Sequence, residues 1–262
     1  MLSPIFLDID GTLLNSNYIV TKRTREALKE ANKIGHKIIL CSGRAVSALE
    51  DVLSQLKIKT LLATLNGAYI TDEERSVISS SPLPKEDALK LISLIKEEGL
   101  EYMYFFNEQW GAEKNSRVYD IEYAAVKRKG TEAPIEEILK RETILKLLSF
   151  GKGEQNKRFI KRAKELYPEY EIAPSSTTYT EINTPHVNKA FAVKTVCSYL
   201  NIDTKAAICF GDYNNDIPMF KTVGTKIAMG NAIAEVKALA TEITKSNNED
   251  GIAIWIENNL LK

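Results

Sequence analysis

Pro4-Ile5-Phe6-Leu7 is an apolar run that stops at two aspartates one residue apart, Asp8 and Asp10, with Gly11 and Thr12 directly behind them. A short apolar run bounded by acids and glycine predicts a buried strand. Neighbouring strand residues face opposite ways and alternate ones face the same way. Asp8 and Asp10 therefore serve one site with distinct roles only if the chain bends after Asp8. Gly11 permits that bend, because glycine takes backbone angles closed to other residues. Taken alone, the stretch is better described as an acidic turn that closes a strand.

The pattern recurs. Thr21 reads as a helix N-cap, and Ala27, Leu28, Ala31 and Ile34 recur at three- and four-residue spacing, which predicts a helix over 24–34 with Gly35 as its C-terminal cap. His36 reads as a solvated loop residue. A strand over 37–41 ends in Ser42-Gly43-Arg44, a helix is expected over 45–56, and a strand over 60–65 ends in Asn66-Gly67-Ala68. Strand, helix, strand, helix, strand predicts a Rossmann-like parallel α/β sheet. Such sheets bind ligands at the carboxyl ends of their strands.

The rhythm changes at Ser79-Ser80-Ser81-Pro82-Leu83-Pro84, which reads as a hinge. Beyond it come a helix over 85–98, an aromatic strand over 102–106 that runs on towards Trp110, helices over 135–139 and 156–166, and strands over 144–150, 170–172 and 179–182. This block reads as an α+β insert with its own core, to which the aromatic cluster belongs. Thr184-Pro185 reads as a second hinge. A helix over 189–200 follows, then a strand over 206–210 that ends in Gly211-Asp212-Tyr213-Asn214-Asn215-Asp216. A further strand over 226–229 leads to Gly230-Asn231-Ala232, and a helix over 252–260 closes the chain. The expected organisation is a core domain from 1–82 and 186–262 with an inserted domain over 83–185.

Composition removes several function classes. Basic and acidic residues balance at 35 each, for a net charge of +0, and no basic block stands out, so nucleic acid is not an expected partner. No apolar run reaches the length of a membrane span, and the N-terminus lacks a signal core, so a cytoplasmic protein without membrane contact is expected. Cys41, Cys197 and Cys209 are odd in number and form no CxxC, which reads as reduced core thiols. With two histidines, and no HExxH or GxSxG, a zinc site or a serine hydrolase is disfavoured. GxxxxGK[ST] and GxGxxG are also absent.

What remains is a set of polar groups at strand ends, with the lysine that opens the post-hinge helix: Asp8, Asp10, Ser42, Lys189, Asp212, Asn215 and Asp216. Four clustered carboxylates repel one another unless a cation sits among them. Oxygen-only ligands point to magnesium rather than zinc. A hydroxyl and an ammonium beside that ion suit a phosphate. Lys189 alone also reads as a solvated lysine at a helix start, and Asn66 as a turn residue or a substrate contact.

These residues carry a resemblance. Asp8-Ile9-Asp10-Gly11-Thr12, then Ser42 within Cys41-Ser42-Gly43-Arg44, then Lys189, then Gly211 to Asp216 match the four ordered motifs of the haloacid dehalogenase superfamily. Asn66-Gly67-Ala68, Gly230-Asn231-Ala232 and Glu249-Asp250-Gly251 resemble phrases of its Cof-like phosphatases, and the insert lies where a type IIB cap belongs. One departure is Ala190, where glycine often follows the lysine. The resemblance implies a Mg2+-dependent phosphatase acting on a small phosphorylated metabolite, such as a sugar phosphate. Asp8 would be the nucleophile, forming an aspartyl-phosphate, and Asp10 the general acid and base. Asp8, the Asp10 carbonyl and Asp212 would hold Mg2+, and Asp216 would support the metal shell or orient Lys189. Ser42, Lys189, Gly43, Asn215 and the Ile9 N–H would bind phosphate, with Asn66 as a further contact. The cap would close over the site and set specificity, with Tyr119, Asp120, Glu122, Tyr123 and His186 as candidate contacts. A phosphotransferase or mutase using the same intermediate is the alternative, ahead of a non-catalytic regulatory protein. A monomer or homodimer is expected.

Overall fold

The computed structural model describes residues 2–261. The first strand, β1 (Pro4–Leu7), is buried along its whole length. In α1 (Lys22–Lys33) the Thr21 side chain accepts the Thr24 N–H, Ala27, Leu28 and Ala31 are buried, and Gly35 follows the end at φ +107°. Next come β2 (Lys37–Cys41), a 3-10 turn (Val46–Ala48) and α2 (Glu50–Leu56). The single helix expected over 45–56 is thus broken. The Ser47 N–H donates to the Glu108 carbonyl, 3.2 Å away, instead of continuing a helix. His36 is buried, not solvated: its Nδ1 lies 3.1 Å from the Ser3 nitrogen and 3.0 Å from the Ser3 carbonyl.

β3 (Leu61–Thr64) turns back through a 3-10 turn into β4 (Tyr69–Thr71), which pairs antiparallel to it, and β5 (Val77–Ser80) extends the edge. The inserted segment then runs α3 (Lys85–Glu97), β6 (Glu101–Phe106), β7 (Gln109–Ala112), α4 (Arg117–Val126), β8 (Thr131–Glu132), α5 (Ile135–Ile138), β9 (Lys146–Phe150), α6 (Gly153–Leu166), β10 (Glu171–Pro174) and β11 (Tyr179–Asn183). The chain closes with α7 (Lys189–Tyr199), β12 (Ile208–Gly211), α8 (Ile217–Phe220), β13 (Thr225–Ala228), α9 (Ala234–Leu239), β14 (Glu242–Ile243) and α10 (Gly251–Asn259).

Two compact units result. One holds the chain through Arg44, Leu49–Ser79 and everything from Asn188 on; the other holds Ala45–Ala48 and Ser80–Val187. In the first, an eight-stranded sheet runs β14-β13-β12-β1-β2-β3-β4-β5, parallel from β14 to β3. Helices cover such sheets on both faces, which is why β1, β2 and β12 read as unbroken apolar runs rather than alternating ones. In the second unit, a six-stranded sheet runs β10-β11-β9-β6-β7-β8, antiparallel except for β7 with β8. Alternate residues of β6 (Tyr102, Tyr104 and Phe106) enter a core with Leu91 and Ile95 of α3, Leu147 and Phe159. Their rings pack at 6.4 and 6.0 Å, so this part of the aromatic cluster is core. The fold is α/β, a parallel-sheet core with an α+β insertion. All three cysteines are free and buried, and among the described residues no helix is long and apolar enough to cross a membrane.

Candidate active site

β1 lies between β2 and β12, both parallel to it. Strands continue outward in both directions from this pair, so a crevice opens at the carboxyl ends of β1 and β12. Asp8 sits at that point. Its N–H continues the ladder to the Phe210 carbonyl at 3.1 Å. The chain then curls: the Leu13 N–H donates to the Asp8 carbonyl at 3.3 Å and the Leu14 N–H to the Ile9 carbonyl at 2.9 Å. Gly11 takes φ +78°, and a Cβ there would lie 2.4 Å from Asp212 Oδ2. Glycine is required twice over, for the angle and for the close approach.

β12 delivers the matching groups. Beyond Gly211 the backbone turns so that Asp216 Oδ2 accepts the N–H groups of Asp212, at 2.8 Å, and Tyr213, at 3.1 Å. Asp216 Oδ1 accepts Lys189 Nζ at 2.5 Å, and the same ammonium donates to Asp8 Oδ1 at 2.5 Å. Lys189 opens α7, where Asn188 Oδ1 caps the N–H groups of Ala190 and Phe191. Lys189 and Asp216 are completely buried. Thr12 Oγ1 donates to Asp212 Oδ1 at 3.0 Å, while Asn231 Nδ2 donates to the Gly11 carbonyl at 2.8 Å and lies 3.4 Å from Asp212 Oδ2.

Asp8, Asp212 and Asp216 each offer a carboxylate oxygen, all within 4.8 Å of one another. Burial, with the Asp216 charge second, pushes the Asp8 carboxyl up to about 8 against the pull of Lys189. Burial, then Asp216, pushes Asp212 up to about 6. For Lys189, burial works against the charge, but Asp216 and Asp8 outweigh it and hold the ammonium protonated well above its ordinary value. Fully ionised, three carboxylates against one ammonium leave two negative charges in a site where Asp8, Asp216 and Lys189 are buried and Asp212 is half-buried. That donor set, all oxygen and two charges in deficit, fits a hard divalent cation.

The Asp10 carboxylate is not in this cluster. Arg44 grips it with both prongs, Nε to Oδ2 at 2.8 Å and Nη2 to Oδ1 at 2.5 Å, and half of the Asp10 side chain stays exposed. Ser42 is buried, and its Oγ accepts the Arg44 N–H at 3.1 Å. The Asn66 N–H donates to the Ser42 carbonyl at 2.8 Å and the Leu65 N–H to the Arg44 carbonyl at 3.1 Å, joining the ends of β2 and β3. Asn66 takes φ +59° and Gly67 φ +102°. Gly43 is half-buried at the same strand end, Ile9 is buried, and Asn215 stands exposed in the turn after Asp212. Tyr119, Asp120, Glu122 and Tyr123 lie on α4 of the second unit. Tyr119 is largely buried, its ring 5.0 Å from that of Trp110, and His186 is exposed at φ +68°.

Arg44, Thr12 and Asn231 received no role from the sequence, although each stands inside a quoted motif. Arg44 had a signal, since it lies two residues beyond Ser42 at a strand end.

A model of haloacid dehalogenase-like hydrolases matches residues 5–256. YxeH of Bacillus subtilis, a protein named as a phosphatase, is 32% identical over 264 residues, covering 95% of each chain. YcsE of the same organism, a 5-amino-6-(5-phospho-D-ribitylamino)uracil phosphatase, is 30% identical over 250 residues, 95% of this chain and 92% of that one. Among solved structures, the subclass IIB sugar phosphatase BT4131 superposes with a TM-score of 0.84 at 26% identity over 98% of both chains.

Proposed function

The chain belongs to the haloacid dehalogenase-like hydrolases, as a phosphatase of the Cof-like group, and we propose that it hydrolyses a small polyol or sugar phosphate through an aspartyl-phosphate on Asp8, with Mg2+ as cofactor. The observation that carries this reading is the cluster of buried Asp8, Lys189 and Asp216 with half-buried Asp212 at the carboxyl end of β1, two positive charges short of neutrality when fully ionised. The names of the two relatives supply the substrate class. A ribityl phosphate and a sugar phosphate are both phosphate esters of polyhydroxylated carbon chains.

Asp8 and Asp212, with the Asp10 carbonyl, would hold the cation. Bound there, Mg2+ would screen the carboxylate from the phosphate it attacks and favour the ionised form of Asp8. Lys189 donates to Asp8 Oδ1, and Oδ2 would be the attacking oxygen. Asp216 is committed to Lys189 and to two backbone N–H groups, so its part is to orient Lys189 and the Asp212 turn. Ser42, Gly43, Asn215 and the Ile9 N–H serve the phosphate oxygens, with Asn66 nearby.

In the first half-reaction Asp8 oxygen bonds to phosphorus as the ester P–O bond breaks, and the leaving alkoxide takes a proton from Asp10. In the second, water bonds to phosphorus and yields its proton to Asp10 while the P–O bond to Asp8 breaks. Asp8 returns as a carboxylate and phosphate departs. Arg44 contacts both oxygens of the Asp10 carboxylate, so proton transfer at either oxygen requires release of at least one prong.

The test is phosphate release over a panel of sugar, polyol and nucleoside monophosphates, with no acceptor alcohol, in Mg2+ and in EDTA. Turnover of polyol phosphates that stops in EDTA and returns with Mg2+ is the expected result. Consumption of the ester only when an acceptor alcohol is added, with the phosphoryl group recovered on that alcohol, would replace hydrolysis by transfer, and unchanged turnover in EDTA would remove the metal.

A further inference from the structure

The opposite end of the same sheet carries a second charged feature. A cleft of about 480 Å³ is lined by Lys29, Lys33, Lys37, Lys57 and Lys59, with His36 and a single acid, Glu73. The chain as a whole is charge-balanced, whereas these five lysines, counted with the glutamates paired to them (Glu30, Glu73 and Glu74), leave a local excess of two positive charges. All of these residues belong to the first unit.

Local structure explains part of the cluster. Lys33 ends α1 and Lys57 caps α2, where a cation offsets the carbonyl ends of the helices. Each helix end carries only about half an elementary negative charge, so this use leaves most of the lysine charge over. Lys37 pairs with Glu73 at 2.8 Å, Lys59 pairs with Glu74, and Lys33 lies 3.5 Å from Glu30. These are solvent-exposed pairs, which contribute little and exchange readily for a denser anion. Lys29 and Lys57 make no ion pair among the described residues. Lys57 is held in place by its backbone: it takes φ +55°, and its N–H donates to the Leu53 carbonyl.

The volume is that of a small-molecule site, and five of its ten lining residues are lysines. We propose that this cleft binds a polyphosphate anion, of the class of inorganic triphosphate and nucleoside triphosphates. Several adjacent charges on one flexible chain match several ammonium groups in one concavity, whereas a monophosphate can engage only a part of them. The site is separate from the catalytic one. Lys37 opens β2 and Ser42 follows its end, so five residues at about 3.3 Å each part the cleft from the phosphate-binding strand end. The proposal does not depend on the catalytic reading.

The experiment is calorimetric titration of the full chain at low ionic strength in EDTA, which keeps metal-borne phosphate out of the Asp8 site. The probes are sodium triphosphate, ATP and inorganic monophosphate. One-to-one binding of triphosphate at least tenfold tighter than monophosphate is expected. The K29E/K57E variant should lose at least tenfold in triphosphate affinity while its phosphate-release activity stays unchanged. D8N should bind triphosphate as the unaltered protein does. Equal affinity for ATP and triphosphate assigns recognition to the phosphate chain, and tighter ATP binding adds the nucleoside; both support the site. No heat from either, equal monophosphate affinity, or full affinity in K29E/K57E would overturn it, and loss of binding in D8N would move the ligand to the catalytic crevice.

Discussion

Asp8 and Asp10 are two residues apart and end in different environments: one buried against Lys189, the other half-exposed and gripped by Arg44. Gly11, directly after Asp10, turns the chain against Asp212. The G11A substitution would set a Cβ against Asp212 at an angle that strains any L-residue, a cost of about 1–3 kcal/mol. Thermal unfolding should register it, and an unchanged midpoint would disprove the argument. Arg44 supports a different test. If it positions Asp10, then R44A should lower kcat about 10- to 100-fold, within the range of general acid–base catalysis, and leave KM nearly unaltered. A rise in KM at constant kcat would assign Arg44 to substrate binding instead. Asp8, Lys189, Asp212 and Asp216 could be singled out from strand ends and motif order alone. The grip on Asp10 could not, because it depends on how the turns after β1 and β2 face one another, which no spacing encodes.

At the scale of elements, legibility followed burial. β1, β2 and β12 could be read because both their faces are covered, and α1 because one face is. Helix α4 went unread because only Val118 and Tyr119 are buried, so no apolar stripe marks it. β4 went unread because the turn before it uses positive φ at Leu65 as well as at Asn66, and leucine signals no such turn. Polar ties between helices are equally hidden. Glu98, at the end of α3, accepts Arg158 Nε at 3.0 Å and Arg162 Nη1 at 2.6 Å from α6. The hydrogen bonds from Arg162 and then Arg158 hold its carboxyl below the ordinary value of 4.5. The folded state therefore binds the proton less readily than the unfolded chain. The stabilisation is complete above the unfolded value and is lost as pH falls through the lower, folded one. Denaturant unfolding of E98Q should show a shallower loss of stability on acidification below 4.5 than the unaltered protein; parallel curves would show that the two arginines contribute nothing there.

For the whole molecule, the catalytic charges tie together segments far apart in the sequence. Asp8, Lys189 and the pair Asp212 and Asp216 come from the end of β1, from α7 and from the turn after β12, and fully ionised they meet with two negative charges uncompensated. A divalent cation that binds this arrangement, and not the unfolded chain, stabilises the fold by mass action. At a hundred times its dissociation constant the gain is about 2.7 kcal/mol, which for a body of this size is a rise in Tm of about 5–10 °C. Removing one of the negative charges acts in the same sense on the metal-free protein. D212N removes a carboxyl that burial and then Asp216 hold above its ordinary value, and with it one of the charges that, behind burial and Asp216, raise Asp8, so in EDTA its Tm should equal or exceed that of the unaltered chain. Added Mg2+ should then raise it little or not at all. The K189A variant gives the opposite sign. It leaves three carboxylates without their ammonium, and breaking such a network from one side costs about 3–5 kcal/mol. Its metal-free form should be the least stable of the three and should gain the most from Mg2+. A single melting series with and without Mg2+ therefore ranks the variants by the charge left in the crevice. A ranking that ignores that charge would mean that packing of the two strand ends, and not electrostatics, holds the site together.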